Sequence, residues 1–424
     1  MKYFVLVPDG AADRPNENGD TALSIADISH INGVAKRGQV GLVQTIPEGI
    51  KPGSDAANLA VLGYDPRTDL TGRSPLEAVS MGVSMADKDV SFRTNLVTLS
   101  GDGDYEDLRI IDHSSGDITS AEAKVLIEYI DEKLGGGDPA NEGRLHFYSG
   151  VSYRHALIVS DGARTESGVG DVFSDYTDYR LTPPHDILEK RIGDYLPAES
   201  SEAYILALMK RSYELLKDHP VNLDRIKRGL NPANSIWIWG EGIRPRFSKM
   251  SEKYDITGSA ISAVDLVKGI GILAGLDAVY VEGATGTLET DFGAKGLAAI
   301  KEFDKGKDFV FVHVEAPDEC SHQGSTRDKI LALELIDREI FAPVLYYLQE
   351  KKREAGEDYK ILVLPDHRTP VEIRTHSSEP VPYVLFDSRI ESMNEENAFT
   401  ERSAETGRGF SSGAELADCF FSKG

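Results

Sequence analysis

Cysteine is nearly absent from this chain: 424 residues contain two, Cys320 and Cys419. That is too few for a disulfide framework and fits a reducing compartment, so the expected location is the cytoplasm. Long apolar runs are missing as well. The start, MKYFVLVPDG, offers one Lys and then Tyr3 to Val7 before Pro8 and Asp9, too short for the core of a signal peptide. No stretch approaches the ~18 apolar residues of a membrane span. Positive charge is also in short supply, with 46 Lys and Arg against 70 Asp and Glu and a net charge of −24. A surface this acidic repels phosphate backbones and anionic headgroups, which argues against nucleic acid and membrane partners. A small anionic substrate fits only if its pocket supplies local positive charge, from metal ions or clustered arginines.

What is present is an ordinary globular composition, 40% hydrophobic and 27% charged, long enough for two or three domains at ~150 residues each. Short apolar runs rich in Val, Ile and Phe recur at Tyr3–Val7, Val40–Ile46, Ser235–Trp239, Ala278–Val281, Phe309–Val314 and Ile361–Leu364. Runs of this kind suit strands buried on both faces, as in a parallel sheet covered by helices. Helical patterns such as Val264–Leu273 and Ala294–Phe303 lie between them, so a doubly wound α/β core is expected. Residues from about 89 to 231 differ in character. They carry Gly-rich acidic turns (SGDGDYED, SGVGDVFSD) and a long helical pattern at Ala203–Leu216. They read as an inserted second domain, the alternative being one large sheet with long loops.

In open α/β sheets, ligands bind beyond the carboxyl ends of the strands. Asp9 follows the first strand directly; it reads equally as a turn or cap residue. In KPGSDAANLAVLGYDP, Asp55–Leu62 reads as a helix stopped by Gly63. Ser54 is then either its N-cap or a nucleophile held at the positive end of the helix dipole. A hydroxyl needs a metal or a base to ionise it. In VHVEAPDECSHQG, Asp318 and His322 stand four apart and project from one helix face. They form either a ligand pair for a borderline ion such as Mn²⁺ or Zn²⁺ or a solvated acid beside a surface histidine. Cys320 between them would point away and is read as structural. In ILVLPDHRTPVEIRTHSSEP, Asp366 and His367 follow a buried strand, and His376 comes nine residues later. Together Asp9, Ser54, Asp366 and His367 suit one cation, and Asp318, His322 and His376 a second. Two such ions could ionise Ser54 and neutralise a transferring phosphoryl group. The chemistry this implies is phosphoryl or sulfuryl transfer through a covalent serine ester.

Several long motifs, VPDGAADRPNENGDTAL, PGSDAANLAVLGYDP, TGRSPLEA, SYELLKDHPVN, ISAVDLVKGIG, GATGTLETDFGAKG, HVEAPDECSHQG, LPDHRTPV and THSSEPVPYV, run nearly end to end. In them the chain resembles the archaeal-type cofactor-independent phosphoglycerate mutases of the alkaline phosphatase superfamily. The resemblance implies an α/β phosphatase-like core, residues 1–88 and 232–424, with an inserted α+β cap at 89–231. It assigns Asp9, Ser54, Asp366 and His367 to the metal site that holds the nucleophile, and Asp318, His322 and His376 to the other. Two divalent ions are implied, Mn²⁺ being typical and Zn²⁺ the alternative.

The implied reaction is a phosphoserine relay. 3-Phosphoglycerate phosphorylates Ser54, and the 2-hydroxyl of the retained glycerate then takes the group, while a closing cap excludes water. One segment departs from the family pattern. IIDHSSGDI carries His113, Ser114 and Ser115 where archaeal relatives carry arginines. His113 and Arg154 are the expected substrate contacts, with His155 and Arg93 further candidates; Lys268 either touches phosphate or is a solvated helix residue. The altered segment keeps a second reading open, a metal-dependent phosphatase or phosphomutase acting on another small phosphorylated molecule. A third, a catalytically inert metal-binding scaffold, would require a missing ligand or nucleophile, and all seven positions carry competent residues.

Overall fold

The run Tyr3 to Val7 has no polar face to offer water, and the strand it forms, β1 (Lys2–Pro8), is buried along its whole length. The computed structural model describes residues 1–141, 143–160, 179–197, 203–390 and 392–422; the turn segment SGVGDVFSD lies outside them. The remaining strands are β2 (Gln39–Val43), β3 (Val90–Ser100), β4 (Arg109–Asp112), β5 (Leu145–Tyr148), β6 (Arg154–Val159), β7 (Ser235–Ile243), β8 (Gly258–Ile261), β9 (Asp277–Val279), β10 (Phe309–Val314), β11 (Tyr359–Val363) and β12 (Val381–Asp387).

The described chain divides into two compact units, one made of residues 1–70 and 247–424, the other of 71–246. The first unit holds a seven-stranded sheet in the order β2-β12-β11-β1-β10-β8-β9. β1 sits at its middle, parallel to β10 and β11, and both faces are covered. Phe4 and Leu6 pack with Val312, Ile361, Ile340 and Phe341 on one side. Tyr3 and Phe309 meet Phe420 and Phe421 of the helix Gly413–Phe421 on the other. Each such side chain contributes roughly 1.5–3 kcal/mol by leaving water, which accounts for β1 as the spine of the unit.

The sheet is mixed: its central strands are parallel, as the buried apolar runs suggested, but one edge is not. β12 runs antiparallel to both β11 and β2, because a continuous apolar run reports burial on two faces and not the direction of the neighbouring strand. This reversal matters for the site. β1, β10 and β11 end side by side: Pro8 is in register with Val314, and Leu6 with Val363. β12 begins at that same edge, so the loop from 364 to 380 stays there.

The second unit holds a five-stranded sheet in which β3 pairs antiparallel with β4, β6 and β7, and β6 with β5. Phe92, Leu96 and Trp237 pack against the helices Ser120–Leu134 and Ala203–Leu216. The run Ser235–Trp239, grouped with the core on sequence, forms β7 and belongs here, on β3. Its hydrophobicity marked it as a buried strand but carried no information about which sheet it joins.

Candidate functional site

The site is built at the carboxyl edge of the first sheet. Asp9 leaves β1, Asp366 and His367 leave β11, Asp318 and His322 sit on the helix Ala316–His322 that follows β10, and His376 comes from the loop before β12. Gly10 makes this convergence possible. Its φ is +60°, and a Cβ there would lie 2.5 Å from Asp318 Oδ1 and 2.6 Å from Thr369 Oγ1, so the turn after β1 admits no side chain.

Ser54 is the first residue of the helix Ser54–Val61; the N-cap is Gly53, and no side chain caps that end. The cap reading of Ser54 is therefore replaced by a different geometry. Its hydroxyl lies 3.2 Å from His367 Nε2 and 3.5 Å from Asp9 Oδ2, beside the open N–H groups of the first helical turn. Asp9, Asp366 and His367 place one ligand atom each within 4.8 Å of one another, as do Asp318, His367 and His376. His322 adjoins the second group, with Nε2 at 3.0 Å from Asp318 Oδ2 and 3.1 Å from His376 Nε2. All seven residues expected at the two metal positions thus stand in one neighbourhood, and His367 faces both groups.

Three residues that sequence reasoning missed orient these groups. The Thr369 hydroxyl donates to Asp318 Oδ1 at 2.5 Å and lies 3.1 Å from His367 Nδ1. With its proton given to Asp318, that oxygen accepts from Nδ1–H, leaving the His367 Nε2 lone pair toward Ser54. Asn58 Nδ2 donates to Asp366 Oδ2 at 2.9 Å and to the Ser54 carbonyl at 2.8 Å. The third is His313 of β10, whose Nε2 lies 2.9 Å from Asp9 Oδ2. The four-residue step from Ser54 could have exposed Asn58, since both lie on one helix face; the other two contacts bridge distant segments. Beneath the site, the buried Lys329 ammonium bonds Asp13 and the carbonyls of Ala12 and Thr369, tying the loop after β1 to the loop after β11.

The electrostatics fit a cation centre. Burial and the nearby Asp366 and Asp318 carboxylates raise Asp9 well above the usual carboxylate range. Asp366 and Asp318 are held low despite burial, Asp366 by the neighbouring His367 and His313 rings, Asp318 by hydrogen bonds from His322 and His376. Three buried carboxylates in one place, with Asp9 Oδ1 lacking any hydrogen-bond partner, call for positive charge. The donor set, imidazole nitrogen with carboxylate oxygen, is that of borderline divalent ions.

In the metal-free chain a proton fills part of that role. The hydrogen bond to Asp318 raises His322 to about 9, while its Nδ1 meets the Arg374 carbonyl at 2.9 Å. Because this value lies above the ordinary ~6.5, the pair supports the metal-free fold fully below pH ~6.5 and loses that support as pH rises through 9. A cation taking Nε2 must displace the proton. Calorimetric Mn²⁺ titrations near pH 7.5, in buffers of different ionisation enthalpy, should therefore show net proton release, and affinity should climb with pH up to about 9. Uptake with no proton released would remove His322 from the ligand set.

The remaining candidates are placed as follows. Cys320 is buried, and burial with nearby acids pushes its thiol up to about 11, so it stays protonated and is no thiolate ligand. Lys268 pairs with Asp265 at 2.7 Å. His113, Arg154 and Arg93 belong to the second unit, where they form a cluster of their own. The His113 ring meets Tyr153 and His185 edge-on, and its Nδ1 is buried without a hydrogen-bond partner. Arg154 lies over Tyr153; Arg93 stacks on Trp239 at 4.3 Å and pairs with Glu77.

No helix among the described residues is long and apolar enough to cross a membrane. The family described as 2,3-bisphosphoglycerate-independent phosphoglycerate mutase matches residues 35–222. Proteins of that name from Methanosarcina barkeri and Methanosarcina acetivorans are 47% and 43% identical to this chain, each over 96% of both sequences. A Pyrococcus horikoshii protein of known structure superposes with a TM-score of 0.77 at 26% identity, covering 99% of this chain and 96% of its own. The fold is shared with a cofactor-independent phosphoglycerate mutase from Thermoplasma acidophilum, TM-score 0.64 at 24% identity and 99% coverage of both chains. With relatives this similar over nearly their whole length, the chain belongs to the 2,3-bisphosphoglycerate-independent phosphoglycerate mutases.

Proposed function

We propose that this chain interconverts 3-phosphoglycerate and 2-phosphoglycerate through a phosphoryl group carried on Ser54. Asp9, Ser54, Asp366 and His367 would hold one divalent cation and Asp318, His322 and His376 a second, Mn²⁺ by preference and Zn²⁺ as the alternative. Bound there, the ions would favour the ionised serine and neutralise phosphoryl oxygens. The observation that carries the reading is the position of the Ser54 hydroxyl, within 3.5 Å of both Asp9 and His367 at an uncapped helix start.

The chain's own groups account for the rest. The Ser54 Oγ–P bond forms as the bond from phosphorus to the substrate's 3-oxygen breaks. The 2-hydroxyl then attacks phosphorus as the Oγ–P bond breaks, and its proton passes to Ser54 Oγ, replacing the one that ended on the 3-oxygen in the first step. Through both steps the first-turn N–H groups of Ser54–Val61 face the phosphoryl oxygens. His113 and Arg154 are the proposed substrate contacts, and residues 89–231 the proposed cap domain. Incubating Mn²⁺-loaded protein with 3-phosphoglycerate tests the reading. 2-Phosphoglycerate should accumulate to equilibrium with little free phosphate. Phosphate release without 2-phosphoglycerate would replace it with the phosphatase reading.

A further inference from the structure

The buried histidine beside Asp9 has a second neighbour that the proposed chemistry does not use. His313 is completely buried in β10, and β10 lies between β1 and β8. Its ring therefore stands between Asp9, which follows β1, and Ser262, which follows β8. Nδ1 lies 3.2 Å from the Ser262 hydroxyl and Nε2 lies 2.9 Å from Asp9 Oδ2. That approach is close but off the ring's hydrogen-bonding direction, so Nε2 has no hydrogen-bond partner in place.

The hydrogen bonding decides which ring nitrogen carries the proton. Ser262 Oγ already accepts from the Val264 N–H at 3.0 Å, and Ser262 is itself buried. Its own proton has Nδ1 as the acceptor in reach. Nδ1 is then the lone-pair nitrogen, and the ring proton sits on Nε2, facing Asp9. From this geometry we infer that His313 is a positioning residue for Asp9, with its tautomer set by Ser262. The imidazole engages Oδ2, and Oδ1, the oxygen on the His367 side at 3.5 Å from Nε2 of that ring, is the one left for a cation. The fixed N–H also offsets part of the repulsion Asp9 meets from Asp366 and Asp318.

The inference rests on Asp9 being a metal ligand, and the test separates the two claims. Mn²⁺ affinity of the full chain is measured by competition with a chromogenic chelator, so no turnover is needed. Asp9→Asn is the control: if it leaves Mn²⁺ binding intact, the ligand assignment itself fails. Given loss in that control, His313→Leu should weaken Mn²⁺ binding on the order of 10- to 100-fold. Ser262→Ala should weaken it less, and the double variant no more than His313→Leu alone, because the two side chains act in series. His313→Gln, which keeps an N–H donor of similar reach, should restore most of the affinity. Unchanged affinity in His313→Leu overturns the inference. A glutamine variant as weak as the leucine one does the same, since packing alone would then explain the loss. If the leucine variant fails to fold, Ser262→Ala decides, and an unaltered Mn²⁺ affinity there overturns the proposal.

Discussion

Replacing Ser54 with alanine is expected to remove mutase turnover by at least ~10⁴-fold, the scale seen when a covalent nucleophile is deleted, while the protein stays folded and keeps most of its cation uptake. The structure makes this a clean test. Ser54 opens its helix but caps nothing, so the substitution costs no helix-end hydrogen bond, and alanine is a good helix former. Asp9, Asp366 and His367 still stand within 4.8 Å of one another, so the cradle loses only its hydroxyl. Two measurements are needed. The first is coupled-assay turnover with metal content determined on the same sample. The second is acid-quenched protein after exposure to radiolabelled 3-phosphoglycerate, where label should sit on Ser54 in the parent chain and be missing from the variant. Substantial turnover in Ser54→Ala would end the serine-ester route, whatever the metal content.

The second large effect is expected from Asp318→Asn, an isosteric change that deletes one charge. Asp318 takes the Thr369 hydroxyl on Oδ1, faces His376 Nε2 from the same oxygen at 3.5 Å, and takes His322 on Oδ2 at 3.0 Å. An amide can offer one acceptor oxygen only, so one side of this arrangement meets an N–H₂ group. The Mn²⁺-loaded protein should lose about one equivalent of metal, and kcat/KM should fall on the order of 10³-fold, ~4 kcal/mol of transition-state stabilisation. His322 should also return toward its ordinary pKa, because the hydrogen bond to Asp318 is what raises it, so the proton release seen on Mn²⁺ binding near pH 7.5 should shrink. Metal content equal to the parent's, with normal circular dichroism, would take Asp318 out of the second cation set.

Much of this arrangement was readable in the sequence, for identifiable reasons. Apolar runs ending in Asp9, Asp366 and His367 signalled strands whose exits carry chemistry, and the four-residue step from Asp318 to His322 signalled one helix face. Three features were not readable. The cap reading of Ser54 was reasonable on residue type, yet the helix begins at Ser54 itself, with Gly53 before it. Ser235–Trp239 has the composition of a core strand, but strand pairing is decided by tertiary fit, and it joined β3. The orienting contacts of Thr369 and His313 link residues 51 and 304 positions apart, where no local spacing rule reaches.

The reversed direction of β12 has a consequence for how such a centre can be altered. Asp366, His367 and His376 all come from the single return between β11 and β12, whose two ends are pinned by pairing within one sheet. Lengthening or shortening that return beyond His367 would shift His376 while Asp366 and His367 stay anchored at the strand exit. A lineage, or an engineer, thus has a dial for the geometry of one proposed cation set that leaves the other nearly untouched.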